Sequence, residues 1–178
     1  MIVIGIDIGL TGAVARVGGG LPPAVVDMPV VADGERRMAS KTKTETVQPM
    51  RVDGRGLLQV LRDLCPVDQP AAIVLFENVR PRPEGNGGRH GNTMHSQGSL
   101  MRSRGVVEAT VDIARFSPDP VQPQTWKKFY GINGADKDDS LEKARLFFPE
   151  LAAALRLKKH HNRAEALLIA HYGLRTLA

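Results

Sequence analysis

The first seventeen residues, Met-Ile-Val-Ile-Gly-Ile-Asp-Ile-Gly-Leu-Thr-Gly-Ala-Val-Ala-Arg-Val, constrain this chain more than any other stretch. A run of β-branched residues breaks at Gly9 and Gly12 and resumes with small and β-branched residues, which predicts two strands joined by a tight turn. Asp7 falls inside the first strand, where strand propensity disfavours an acid and burial of its charge is costly without a partner or a cation. Two readings follow. Either the strand ends at Asp7, which caps the turn, or Asp7 is a metal ligand, with Gly5, Gly9 and Gly12 letting a backbone or a phosphate come close.

At 178 residues the chain is expected to form one domain, residues 1–178, with a core of useful size. Lysine and arginine outnumber aspartate and glutamate by 24 to 19, which favours a polyanionic partner, nucleic acid first. A lone cysteine, Cys65, excludes an internal disulfide framework and a cysteine-based zinc site. No secretory signal or apolar run of membrane length is evident, so an intracellular, cytoplasmic protein with no membrane partner is expected. Aromatic residues make up 4%, which makes backbone charge rather than base stacking the expected handle on nucleic acid.

After the hairpin, Ala24 to Met28 reads as a third antiparallel strand ending before Pro29. From Ala32 to Gln48 the chain is polar, carries Arg36, Arg37, Lys41 and Lys43, lacks periodicity and reads as a loop. Leu57, Leu58, Val60, Leu61 and Leu64 recur at helical spacing between Asp53 or Gly54 and Pro66. Ala71 to Glu77 is a continuous apolar run suited to a strand buried on both faces. Glu77 then stands at the carboxyl end of that strand, the edge where sites gather in open α/β sheets, unless it is simply a carboxylate meeting solvent. Pro81 to Gly98, with Arg80 before it and Arg82, Arg89, His90 and His95 inside, is too glycine-rich to pack; it suits ordering on a phosphate backbone, or a plain linker.

Ser99 to Ala114 predicts a helix with Arg102 and Arg104 in its first half. Phe116 to Val121 is a short strand weakened by Pro118 and Pro120, and Gln122 to Lys128 reads as a strand exit feeding a short helix. Trp126 reads as a packing anchor, and Asp136, Asp138 and Asp139 as caps of a helix carrying Leu141, Ala144, Leu146 and Phe147. In the last helix, residues three and four apart share a face, so Glu165 can point with His161 or Asn162; the bland alternative makes those two residues caps and Glu165 a solvated charge.

In their order, Ile4-Gly-Ile-Asp-Ile-Gly-Leu-Thr-Gly12, the strand ending in Phe76-Glu77, Pro123-Gln-Thr-Trp-Lys127 followed by Lys137, and Asn162-Arg-Ala-Glu-Ala-Leu-Leu-Ile-Ala170 resemble the RuvC-type Holliday junction resolvases of the ribonuclease H-like superfamily, particularly their phage-encoded branch. The resemblance implies an α/β fold whose mixed central sheet has three antiparallel strands followed by parallel ones, with helices on both faces. It implies a metal-dependent endonuclease that cleaves four-way DNA junctions by paired nicks, with acids holding two Mg²⁺ or Mn²⁺ ions about 4 Å apart. Asp7 would bridge both ions, Glu77 would hold one, and Glu165 would take the place of the family's last acid. Many relatives carry an aspartate three or four residues earlier; here His161 is the first choice as fourth ligand and Asn162 the second, and imidazole suits Mn²⁺ better than Mg²⁺. Lys127, Lys137 and the arginines Arg80, Arg82, Arg89 and Arg102 would contact phosphates, and a two-fold homodimer would match the two nicks, with Ser99 to Ala114 at its interface.

Actin-like ATPases open with a similar strand and glycine turn, but they need two such domains to enclose ATP, so no nucleotide cofactor is expected. Two further readings share the same residues: a junction-binding module with a degenerate site, and a nuclease of broader taste that also cuts flaps and forks.

Overall fold

The computed structural model of the chain describes residues 1–38, 46–66, 72–80, 93–134 and 137–177. Its elements begin with β1 (Ile2–Asp7), β2 (Ala13–Gly18), β3 (Ala24–Asp27), β4 (Val30–Ala32), β5 (Arg37–Met38), β6 (Thr46–Val47) and β7 (Met50–Val52). They continue with α1 (Gly54–Leu64), β8 (Ile73–Glu77), α2 (Met94–Ile113), β9 (Ser117–Val121), α3 (Pro123–Phe129), α4 (Lys137–Phe147) and α5 (His161–Thr176).

The central sheet has the order β3-β2-β1-β8-β9. The first three strands form the expected antiparallel meander, and β8 and β9 run parallel to β1. This is the mixed α/β architecture expected from the sequence. Every residue of β1 is buried, and side chains alternate between two cores. Ile2, Ile4 and Ile6 point into a core with Val74 and Phe76 of β8, Leu57 and Leu61 of α1, and Val107 and Val111 of α2. Val3 and Leu75 point the other way, into a core with Trp126 of α3, Leu141 of α4 and Ala166 to Ala170 of α5.

That second face is built for close approach. A Cβ added to Gly5 would lie 2.3 Å from the Ala166 carbonyl oxygen and 2.4 Å from the Ala170 nitrogen, so the backbone of α5 rests directly on β1. Only a residue without a side chain fits there. β9 tolerates Pro118 and Pro120 because it is an edge strand, hydrogen-bonded on one side to β8.

Three local expectations change. The stretch from Ala32 to Gln48 is not all loop: β5 pairs with β6 inside it, and β4 pairs with β7 at its two ends, in two short antiparallel ladders, while residues 39–45 lie outside the described residues. Strands of two or three residues give too little alternation to be seen in a polar sequence. The helix placed at Ser99 to Ala114 begins earlier, at Met94, because the Thr93 side chain caps it by accepting from the Ser96 amide at 3.1 Å. Residues 94–98 therefore belong to α2, and the glycine-rich stretch 81–92 falls outside the described residues. Among the described residues no helix is long and apolar enough to cross a membrane.

Candidate active site

The parallel pairing of β1 with β8 aligns Ile6 with Phe76, so the next residues, Asp7 and Glu77, end neighbouring strands at the same edge of the sheet. By alternation both belong to the α5 face, with Val3 and Leu75. Asp7 is 9% exposed. Beneath it the turn to β2 is tight: the Gly12 amide donates to the Gly9 carbonyl at 3.1 Å, and a Cβ on Gly12 would stand 2.1 Å from the Asp7 carbonyl oxygen.

Helix α5 brings Glu165 to this edge. Its Oε1 accepts from the Lys127 ammonium at 3.2 Å and from the Ser140 hydroxyl at 3.3 Å. Glu77 Oε1 accepts from the indole N–H of Trp126 at 3.0 Å, and the Lys127 ammonium lies 5.0 Å from the centroid of that ring. Burial pushes the Glu77 carboxyl above its ordinary range, and the nearby charge of Glu165 adds to the push; Lys127 and the Trp126 N–H oppose it. Two acids from different elements therefore feel one another, with an ammonium and an indole set against them.

The first turn of α5 is anchored to the hairpin and to β3. Asn162 donates through Nδ2 to the Thr11 carbonyl and, at 3.0 Å, to the Thr11 hydroxyl. Arg163 grips Asp27 with Nε at 2.5 Å and Nη2 at 2.6 Å. His161 Nδ1 lies 3.2 Å from the Lys158 carbonyl. A carbonyl only accepts, so in the neutral imidazole this bond places the proton on Nδ1 and the lone pair on Nε2.

The sequence-predicted residues thus fall into three groups. Asp7, Glu77, Glu165 and Lys127 are brought to one sheet edge, and His161 and Asn162 open the helix that carries Glu165. Arg102 is turned to protein: its guanidinium bonds both carboxylate oxygens of Asp33, and Arg51 approaches the same acid at 3.6 Å. Arg80 is exposed just past β8, Lys137 is the first residue of α4, and Arg82 and Arg89 lie outside the described residues. Trp126, Ser140 and Thr11 were not singled out as site residues. The sole tryptophan beside Lys127 was the available signal for the first; Ser140 and Thr11 carry none, because only the fold brings them near α5.

No family model matches the chain. The chloroplastic Holliday junction resolvase MOC1 of Chlamydomonas reinhardtii is 32% identical in an alignment of 160 residues that covers 84% of this chain and 17% of that protein's length. Among solved structures, Thermus thermophilus RuvC aligns over 98% of this chain and 96% of its own, with a TM-score of 0.50 and 17% identity. The same protein in complex with a Holliday junction substrate aligns over 96% of this chain and 90% of its own, with a TM-score of 0.50 and 17% identity. The resemblance read from the motifs thus holds in the architecture as well as in the sequence: this chain has the ribonuclease H-like fold of RuvC.

Proposed function

We propose that the chain is a divalent-metal-dependent endonuclease that resolves four-way DNA junctions by paired nicks and acts as a two-fold homodimer through α2. The observation that carries this reading is the pairing of Asp7 and Glu77 at matched ends of neighbouring parallel strands, on the face to which α5 brings Glu165. The likeness to MOC1 over most of the chain supports the choice of substrate.

The donor set fits a hard divalent cation. Its members are carboxylate oxygens with an imidazole alongside, and buried carboxylates are costly unless a cation or hydrogen bonds offset them. Burial, the main cause of the upward push on Glu77, is a cost that a bound cation would offset. Among the described residues no three His, Cys, Asp or Glu side chains are gathered about one ion position, and Glu165 is engaged with Lys127 and Ser140. Two ions held here would supply Lewis acidity and charge neutralisation for phosphodiester hydrolysis.

Asp7 and Glu77 would hold Mg²⁺ or Mn²⁺ from the strand ends, with Glu165 and His161 contributing from α5. The carbonyl bond at Nδ1 of His161 is the outer-shell arrangement that orients a metal-binding imidazole; Asn162 donates its Nδ2 to Thr11 and would offer Oδ1 as the second candidate. Lys127 balances Glu165 and would neutralise a phosphate oxygen when that ion pair opens. Arg80, Arg82, Arg89 and Lys137 would add salt-sensitive phosphate contacts.

The test is incubation of the purified protein with a labelled four-way junction, a matched linear duplex and a flap, each with Mg²⁺, Mn²⁺ or EDTA. Symmetric paired nicks in the junction, absent with EDTA, are expected. Binding without cutting in any metal would sink the nuclease assignment, and equal cutting of flap and junction would sink the junction specificity.

A further inference from the structure

Trp126 is the sole tryptophan of the chain, fully buried at the base of α3. Its packing alone is ordinary: the ring meets Tyr130 edge-on at 6.5 Å, and Pro123 starts the helix that carries it. Its polar edge is not ordinary. A buried indole N–H needs an acceptor, and a neutral carbonyl would serve; here the acceptor is the carboxylate of Glu77 at 3.0 Å. The face of the same ring carries the Lys127 ammonium at 5.0 Å, and Lys127 in turn holds Glu165. One rigid side chain thus touches the machinery of two acids.

We propose that Trp126 is a positioning residue of the metal site: its N–H, bonded to Oε1, fixes the rotamer of Glu77 and so holds the carboxylate toward the cation. The proposal rests on the metal-dependent reading above and adds a residue that acts through Glu77 rather than on the substrate. A carboxylate has acceptor sites to spare, so the indole bond leaves metal binding intact while removing the freedom of the side chain to turn away. Orienting partners of this kind typically govern metal affinity by about 10- to 100-fold.

The experiment is calorimetric titration of Mn²⁺ into the full chain in three forms: unaltered, Trp126→Phe, and with 3-benzothienylalanine at position 126. The last replaces the indole N–H by sulfur at nearly the same shape, and because the chain has one tryptophan, replacement in a tryptophan-requiring host alters one position. Both altered chains should bind Mn²⁺ about tenfold or more weakly with unchanged stoichiometry. The benzothienyl chain should keep its thermal midpoint in EDTA. Unweakened Mn²⁺ binding by the benzothienyl chain would overturn the proposal and leave Trp126 as core packing alone. A second arm does not depend on the analogue: Trp126→Phe introduced on top of Glu77→Gln should cost no further Mn²⁺ affinity, and a further tenfold loss would overturn action through Glu77. If the unaltered chain bound no Mn²⁺ at all, the metal-dependent reading itself would fall, and the positioning role with it.

Discussion

The two faces of the central sheet are built from different side chains, and the difference explains where the chemistry sits. Toward α1 and α2 the strands present Ile2, Ile4, Ile6, Val14, Val74 and Phe76, a thick layer that holds the helices at ordinary distance. Toward α5 they present Val3, Gly5, Ala13 and Ala15, and α5 answers with Ala164, Ala166 and Ala170. The thin face lets the α5 backbone settle onto β1, which carries Glu165 within electrostatic reach of Glu77. A thicker face would keep the acids apart. On the thick side, ion pairs such as Arg102–Asp33 stand at the periphery and join α2 to the end of β4.

The sharpest way to break this contrast is at the acids. Asp7→Asn should lower junction cleavage by at least about a thousandfold, on the scale of losing a group made for the transition state, while leaving junction binding in EDTA unchanged. Quantified nicking and a gel-shift titration check both halves. Binding that fell together with cleavage would remove Asp7 from the metal site and return it to a structural role.

Next comes the packing of each face. Gly5→Ala should destabilise by about 3 kcal/mol or more, because its methyl group meets backbone and not a movable side chain. Leu61→Ala on the thick face should cost about 2–5 kcal/mol through a cavity. The two changes differ in kind, which is what makes the pair informative. Gly5→Ala should also weaken Mn²⁺ binding, since α5 must lift away with Glu165, whereas Leu61→Ala should leave it alone. Denaturant midpoints with calorimetry would decide; equal effects on metal affinity would mean that thinness of the face does not matter to the site.

How much of this was legible in the sequence follows the range of the interactions. The β-branched runs of β1 and β8, and the acids that end them, are local patterns: Asp7 could be singled out from strand propensity, and Glu77 from its place at the end of a buried strand once Asp7 stood beside it. The α5 acid was visible as a charge in an apolar helix start. What could not be read were bonds fixed by the fold: Asn162 to Thr11 spans 151 positions, and Trp126 to Glu77 spans 49. A tryptophan among apolar neighbours looks like core in any sequence, and its polar edge acquires meaning only when α3 packs over β8. Likewise the bond from Arg102 to Asp33, 69 positions away, could not be read from a sequence in which Arg102 is one more cation.

A smaller effect separates stability from function at Glu77. Its folded pKa lies above the ordinary carboxylate value, chiefly through burial and then Glu165, so at a pH between the two values the folded state holds a proton that the unfolded chain has released. The contribution of this group to stability is therefore greatest below the unfolded value and is lost as pH rises through the raised folded value. Glu77→Gln mimics the protonated form and can still accept from Trp126. In EDTA at neutral pH it should raise the thermal midpoint by a degree or more while abolishing cleavage, on the order expected when a strained site group is relieved. A lowered midpoint would mean that Lys127 and Trp126 already compensate the charge in full.

The smallest expected effect tests the thick side. Arg102 holds Asp33 with two hydrogen bonds, but its side chain is 56% exposed, so the pair should contribute little to stability, and less in high salt. If the pair serves as a clamp between α2 and the end of β4, Arg102→Ala should shift the denaturant midpoint slightly and leave the salt dependence of junction binding as it was. A phosphate contact predicts the reverse: unchanged stability and a log–log salt slope shallower by about 0.9. Because Asp33 already neutralises the guanidinium, an approaching phosphate must compete with a carboxylate that bonds it through both oxygens, and the clamp is the outcome that the geometry favours.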